Sequence, residues 1–558
     1  MTTETSIPAA PVQDLVIPDD ILPLGLLFMR AARRDPGKVG LVFPGERLTY
    51  GELSDRVWQR AKGLVGLGVQ PGDHVGMLMT NHPELVVTHY AALLIGATMV
   101  PINARYRTTE LDYIVSDADL TVLITTDAAD DHVDFAQLVH DALPGVREAA
   151  DPYALELPNH PTLRSIVLIG AREPAGFVTQ RDFDAAGEPV TDAEITGLAQ
   201  RVLAGSTALI LYTSGTTAAP RGAMHTHESF GRAWMNVASV WSSTSEDRHW
   251  SALPLFHVTA LGCMTWVHGV GATFFSDFAF DAGRTVAVLN DERITEFFPA
   301  YPPVMEAVIT HPDFAAADVS HVRVMNNVAP PETLRKFQSR FPDTKQVTVY
   351  GGTEGGCVSI TRPEAPLEVR LNTCGTPLPG LQMRVCGPDD EILPPNTEGE
   401  LQYRGINTFH GYYNHPEKTY ESFARGGWYR SGDLGTMDET GACRFLGRIK
   451  ETLKVGGENV APQEIEALLS VHPAVTLVAV VGIPDERLVE VAAAFVEVIP
   501  GAEVTEAELI EHCKGKIASF KVPRLVRFIA NDEWPMSTTK IQRTKLRERL
   551  LEELGLSD

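Results

Sequence analysis

The stretch from Thr213 to Gly222 concentrates residue types that hold anions. Thr213, Ser214, Thr216 and Thr217 surround Gly215, and Ala218-Ala219-Pro220 lead on to Arg221 and Gly222. Hydroxyls and backbone N–H groups in such a loop can curl round a phosphate, and Arg221 supplies a full positive charge. The apolar run Ala208-Leu209-Ile210 just before it reads as a buried strand, so the loop leaves the end of a sheet. A nucleotide polyphosphate is the commonest ligand for this chemistry. The loop is not a Walker A motif, because Gly-x-x-x-x-Gly-Lys-Ser/Thr cannot be laid over it. A polar strand-to-helix turn is the plain alternative, and the density of hydroxyls before Pro220-Arg221-Gly222 weighs against it.

Three later stretches carry compatible chemistry. Tyr350-Gly351-Gly352-Thr353-Glu354 combines a flat ring, two glycines, a hydroxyl and a carboxylate. Gly427-Trp428-Tyr429-Arg430-Ser431-Gly432-Asp433-Leu434 brings a second carboxylate and is followed by Gly447-Arg448-Ile449-Lys450-Glu451. Near the end of the chain, Lys540 stands within Pro535-Met536-Ser537-Thr538-Thr539-Lys540-Ile541-Gln542-Arg543. In this order the stretches resemble the signatures of the adenylate-forming superfamily, which holds acyl-CoA synthetases, aryl-CoA ligases, luciferases and peptide-synthetase adenylation domains. The likeness runs from about Leu48 to Leu546. Ala218 and Thr539 stand where that family usually has glycine, Arg221 where it has lysine, and Asn326-Asn327-Val328 where it has small residues. Alanine resists positive φ, so the loop is expected to be stiffer. Arginine keeps the charge and adds a two-pronged donor.

The resemblance implies a site. Thr213, Ser214, Gly215, Thr216, Thr217, Arg221, Tyr350, Gly351, Thr353, Asp433, Arg448 and Lys540 would bind the nucleotide. Among these, Tyr350 would face adenine, Thr353 the α-phosphate and Asp433 the ribose hydroxyls, while Glu354 would hold Mg²⁺ as a hard oxygen ligand. Thr213, Glu354, Arg448 and Lys540 would be catalytic. His257, Val258, Leu261, Tyr301, Asn326, Asn327 and Gly352 would line the acid pocket. For His257 a wall beside the carboxylate and a satisfied histidine at a helix start are equally good readings. Lys450 would be a hinge, with Lys454, Gly456 and Gly457 serving a second, thiol-dependent half-reaction. The implied substrates and cofactors are ATP, Mg²⁺, coenzyme A and a carboxylic acid, with substituted aryl acids favoured by the two asparagine amides. Three rivals stay open: loading of an acyl carrier protein, ATP-driven diazotisation of an aryl amine with nitrite, and a non-catalytic nucleotide sensor.

The elements that must position these residues are legible in outline. Leu48-Thr49-Tyr50-Gly51-Glu52-Leu53 caps an amphipathic helix through Leu67, and His74–Met79, Pro83–Leu94, Ala97–Ile102 and Leu120–Thr125 alternate strand and helix. That rhythm argues for an α/β fold in which mixed sheets carry packed helices. The expected organisation is a large N-terminal domain over 1–448, containing a small β-barrel-like part over about 370–448, and a small mobile α+β lid over 449–558. Residues 126–161 and 171–194 are acidic, with scattered Ala, Pro and Gly, and are expected to contain surface insertions.

Composition sets limits. The 558 residues carry 47 basic against 72 acidic side chains, a net −25, which argues against nucleic-acid and anionic-membrane surfaces. Six cysteines form no C-x-x-C pair and read as reduced packing residues of a cytoplasmic protein. His225 and His227 read as structural, since no third metal ligand lies near them in sequence. The N-terminus lacks signal-peptide features and no apolar run is long enough for a membrane span. A homodimer is compatible with all of this.

Overall fold

The computed structural model describes residues 23–129, 131–213, 220–455, 458–485, 487–537 and 540–556. Two seven-stranded sheets form the large N-terminal part. The first runs in the order Val178–Thr179, Ser165–Ile169, Val122–Thr126, His74–Leu78, Thr98–Ile102, Thr207–Tyr212, Gly222–Thr226, and only its last pair is antiparallel. The second runs Lys345–Val347, Val324–Asn327, Glu296–Ala300, Arg248–Trp250, Thr273–Phe275, Val39–Phe43, Glu46–Thr49, parallel except for the final hairpin. Parallel strands need helical crossovers, which cover both faces of the sheet and bury its strands on either side. Leu24–Arg34, Pro83–Leu94, His227–Trp241 and Val258–Val270 pack into one core shared by the two sheets. Separate clusters cover each outer face.

Local signals start these helices as the sequence implies. Thr49 and Glu52 form a reciprocal capping box at Tyr50–Gly66, and Thr226 with Ser229 does the same at His227–Trp241. A three-stranded sheet (Val349–Gly352, Gly356–Ile360, Thr376–Pro377) and a five-stranded antiparallel sheet over Leu381–Arg448 follow. The smaller C-terminal part is built on a long hairpin, Val475–Asp485 with Val489–Val498. Its alternate residues serve two cores: Val478, Val480, Ala492 and Ala494 face one, Ala479, Val481, Ala493 and Phe495 the other. Among the described residues no helix is long and apolar enough to cross a membrane.

The acidic segments over 126–161 and 171–194 also carry regular elements. They contribute the strand Val178–Thr179 to the first sheet and the helices Phe135–Ala142 and Gln180–Gly187, with Phe135, Val139 and Phe183 fully buried. The acidic residues occupy outward faces, and the few apolar side chains between them do the packing. Gln180–Gly187 approaches Tyr50–Gly66 so closely that a Cβ on Gly66 would lie 2.0 Å from the Ala186 carbonyl oxygen. Gly66→Ala should therefore lower stability by about 1–3 kcal/mol in denaturant titration. Gly197→Ala, in the Asp192–Ala199 helix with open space around it, should raise stability by about 0.5–1 kcal/mol. Equal effects from the two would refute the close packing.

Candidate active site

The ends of the phosphate-type loop are held from two sides. Tyr212 and Gly222 face each other across an antiparallel pair, and the Thr213 N–H donates to the Arg221 carbonyl at 3.0 Å. The helix Thr108–Asp117 pins the same ends: the Tyr212 hydroxyl donates to Asp117 Oδ2 at 2.6 Å, and the Tyr113 hydroxyl to the Pro220 carbonyl at 3.0 Å. Ser214, Gly215, Thr216 and Thr217 lie outside the described residues, as does Ala218.

A tyrosine that the sequence reading did not single out joins this loop to the second motif. His410 to Tyr413 runs alongside Gly222–Thr226, with the Met224 N–H donating to the Gly411 carbonyl at 2.9 Å and the Tyr413 N–H to the Gly222 carbonyl at 2.8 Å. Tyr412 then lies with its ring centre 4.6 Å from the Arg221 guanidinium carbon, while its hydroxyl donates to Glu354 Oε1 at 2.7 Å. A flat guanidinium suits a ring face better than an ammonium does, which gives Arg221 a physical role beyond charge. Only its place beside a glycine in an otherwise polar loop could have marked Tyr412 in the sequence.

Tyr350 to Glu354 forms the tip of the Val349–Gly352 and Gly356–Ile360 hairpin. A side chain at 351 would bring its Cβ within 1.9 Å of the Gly356 carbonyl oxygen, so glycine is required there. His225 Nε2 donates to the Thr353 carbonyl at 2.7 Å, which puts the proton on that nitrogen. Gly351 is exposed and Gly352, Thr353 and Glu354 are half-buried, so the motif opens to solvent.

The third motif closes on the second. Asp433 and Arg448 are cross-strand partners, with Arg448 Nε 2.9 Å from Asp433 Oδ1. The buried Tyr350 hydroxyl donates to Asp433 Oδ2 at 2.7 Å, and its ring stacks on Phe445 at 6.1 Å. Both Asp433 oxygens thus already have a partner, and ribose hydroxyls would use the remaining lone pairs rather than a bare carboxylate.

The residues expected at the acid pocket are only partly brought together. His257 precedes the Val258–Val270 helix, with its N–H donating to the Pro254 carbonyl at 3.0 Å; Leu261 is buried and Val258 half-buried. Tyr301 precedes the Pro302–Thr310 helix and follows Ala300, whose φ of +61° is strained for a residue with a side chain. Asn326 and Asn327 are both fully buried but point to opposite faces of one strand. The Asn326 amide donates to the Val347 carbonyl at 3.4 Å on the inner face. The Asn327 amide donates to Gln346 Oε1 at 3.2 Å on the outer one, so the pair does not face one pocket. Neither side-chain carbonyl has a partner among the described residues. Trp234, also not singled out in the sequence, is buried against Gly262, where a Cβ would lie 1.9 Å from its indole. Lys450 sits in the short turn Ile449–Glu451 and Lys454 is exposed on Leu453–Val455, whereas Gly456 and Gly457 lie outside the described residues. The Lys540 backbone pairs with Ser537 in a two-stranded turn.

Four buried imidazoles underpin this region and its neighbouring core. Burial drives His89, His225, His227 and His268 down from 6.5, to about 3, 4, 3 and 4. Below pH 6.5 the unfolded chain gains protons that the folded chain refuses. Stability present above that pH is therefore lost as pH falls toward 4. Each imidazole steepens the loss by about 1.4 kcal/mol per pH unit in that window. The urea midpoint should fall from pH 6.5 to 4, and less steeply in His225→Gln. A midpoint unchanged over that range would contradict this account.

Comparison with known proteins completes the picture. The family "AMP-binding enzyme" matches residues 28–413, and "AMP-binding enzyme C-terminal domain" matches 464–540. The chain is 34% identical to the putative acyl-CoA synthetase YngI of Bacillus subtilis over 96% of its own length and 98% of the relative's. It is 33% identical to feruloyl-CoA synthase from an Amycolatopsis species over 94% and 99%. Among solved structures, the anthranilate CoA ligase AuaEII in complex with anthranoyl-AMP superposes with a TM-score of 0.82 at 26% identity, covering 98% of this chain and all of that one. ATP-bound MatB from Rhodopseudomonas palustris gives 0.79 at 26%, covering 95% and 99%. With contacts linking Arg221, Tyr412 and Glu354 and linking Tyr350, Asp433 and Arg448, and both family matches in the expected order, the chain belongs to the AMP-binding enzymes, the adenylate-forming superfamily, and is of the acyl- or aryl-CoA ligase type.

Proposed function

We propose that this chain uses ATP to convert a carboxylic acid to an acyl adenylate with release of pyrophosphate, then passes the acyl group to coenzyme A. The observation that carries the proposal is the linked set Arg221–Tyr412–Glu354 and Tyr350–Asp433–Arg448, which gathers two carboxylates and two cations around the open motif tip. A carboxylate approaching the α-phosphate of ATP brings anions together. One pair of unit charges at about 4 Å and an effective dielectric near 20 repels by roughly 4 kcal/mol. Arg221, Arg448 and Lys540 would offset this, holding the reactants in line and stabilising charge as it develops. Asp433 would orient the ribose. Glu354 fits Mg²⁺: Tyr412 occupies one side of its carboxylate, and Mg²⁺ is commonly held by one or two carboxylates together with substrate phosphates. When bound there, the ion supplies charge neutralisation at the phosphates. We place the reaction in the cytoplasm, where ATP and coenzyme A are both supplied.

Rotation of the part after Lys450 would withdraw Lys540 and present Lys454 and the Gly456-Gly457 stretch for the thiol step. The relatives named for feruloyl and anthraniloyl acids support an aryl substrate. Two features of this chain agree. The Trp234 indole packs against Gly262, and the buried Asn326 carbonyl, without a partner among the described residues, would be the acceptor for a hydroxyl or amino group on the ring. A buried acceptor left without a partner costs about 1–3 kcal/mol, so a donor on the acid gains affinity by meeting it.

A panel of acids read out by pyrophosphate release and thioester formation tests the proposal. Hydroxy- or amino-substituted aryl acids should outrun fatty acids of similar size, and Asn326→Ser should narrow the gap. Activity rising steadily with alkyl length, unchanged in that variant, would reject the aryl reading. AMP with no thioester would reject coenzyme A as acceptor.

Two variants separate the half-reactions. Lys540→Ala should lose adenylation by about 10²–10³ yet still convert a supplied acyl adenylate to thioester. Lys450→Pro should show the reverse. Equal loss of both steps in Lys540→Ala would mean that the lysine does not leave between them. Tyr412→Phe keeps the ring under Arg221 but removes the donor to Glu354. It should slow adenylation by about 10–100-fold and raise the Mg²⁺ requirement, as loss of a hydrogen bond to a charged group implies. An unchanged Mg²⁺ dependence would show that the bond serves only folding.

A further inference from the structure

Cys374 and Cys443, far apart in sequence, are neighbours in the fold. The Cys374 N–H donates to the Cys443 carbonyl at 2.8 Å, and the Cys443 N–H to the Gly375 carbonyl at 2.9 Å. These two backbone bonds set Cys374 and Cys443 on directly adjacent chain segments. Ser359 completes the cluster, its Oγ 3.0 Å from Cys443 Sγ while also donating to the Cys374 carbonyl at 3.0 Å. Cys374 is half-buried, and the other five cysteines are buried. Cys374 is therefore the partly exposed residue of the pair, with Cys443 buried on the segment beside it.

We propose that Cys374 and Cys443 are a reversible oxidation site that closes to a disulfide when the enzyme meets hydrogen peroxide. Cys374 is suited to react first, because it is the more exposed residue of the pair, and hydrogen bonding to its sulfur holds its thiol below the usual range. The Cys374 thiolate attacks one peroxide oxygen, the O–O bond breaks, and hydroxide leaves, taking up a proton to give water and a sulfenic acid. The Cys443 sulfur then attacks the Cys374 sulfur. The S–O bond breaks, a second hydroxide leaves with the Cys443 proton as water, and the S–S bond forms. Two thiols and one peroxide thus become one disulfide and two waters. The bond would tie the turn at Cys374-Gly375 to the start of Cys443–Arg448, the strand that ends on Arg448 and leads to Lys450. Backbone hydrogen bonds already hold the two chains at the separation of paired strands, which lies within the range a disulfide spans.

The full chain, treated briefly with hydrogen peroxide, quenched, denatured and alkylated, decides the matter by peptide mass. A Cys374–Cys443 linked peptide should appear first, with the other four of the six cysteines still alkylated, and dithiothreitol should remove it. In Cys374→Ser, Cys443 should stay reduced under the same treatment. In Cys443→Ser, Cys374 should stop at the sulfenic acid and be trapped by dimedone. Full alkylation of both thiols in the wild-type chain would overturn the proposal. So would a first linkage between other cysteines, or Cys374 passing to sulfinic acid without bridging. Because Cys374→Ser changes the more accessible side chain, its result stands even if Cys443→Ser does not fold. None of these readouts depends on which acid the enzyme activates.

Discussion

Two carboxylates, Asp433 buried and Glu354 half-buried, each with a tyrosine and a link to an arginine, are the constraint on which the rest of the site depends. Asp433 has Arg448 on one oxygen and Tyr350 on the other. Glu354 has Tyr412, and Tyr412 carries Arg221 on its ring. An unpaired charge at such depth would shift its protonation or stay solvated, and either would spoil a site meant to meet a polyphosphate. The phenols satisfy the carboxylates without neutralising them. Burial and the nearby carboxylates push the Tyr350 and Tyr412 hydroxyls well above their ordinary range, so they remain donors at any physiological pH.

The fold meets this constraint with loop ends drawn from separate sheets. The first sheet delivers Tyr212 and the loop after it, the second delivers Asn326 and the turn at Tyr301, and the small hairpin delivers Tyr350 to Glu354. In open parallel sheets ligands sit beyond the carboxyl ends of the strands, and here Tyr212, Trp250, Ala300 and Asn327 all end strands that lead to candidate residues. The antiparallel sheet adds Asp433 and Arg448 as direct cross-strand partners, so their pairing follows from register rather than from flexible side chains. Tight packing leaves little slack at two candidate positions: Gly351 and Gly262 each lie where a Cβ would meet another group at 1.9 Å.

What could be read without coordinates was local. The caps at Thr49 and Thr226, the strand before Thr213, and the order of the three motifs depend on neighbours within a few residues. The same reading did not resolve the elements inside the acidic segments, because composition averages over a helix and hides the single buried face that carries Phe135 or Phe183. It also treated Asn326 and Asn327 as one polar patch, although adjacent residues on a strand face opposite ways.

The amino-acid sequence by itself determined the family chemistry: an anion-holding loop, a Tyr-to-Glu turn, an aspartate and arginine in series, and a C-terminal lysine, each defined by contiguous residues. Only the tertiary structure decided which distant side chains complete them. Tyr412 meets Glu354, Trp234 covers Gly262, and Cys374 meets Cys443 through contacts between chain segments that no local period or spacing encodes. Such contacts arise when the sheets and the antiparallel block pack together, and side-chain shape and register then select the partners.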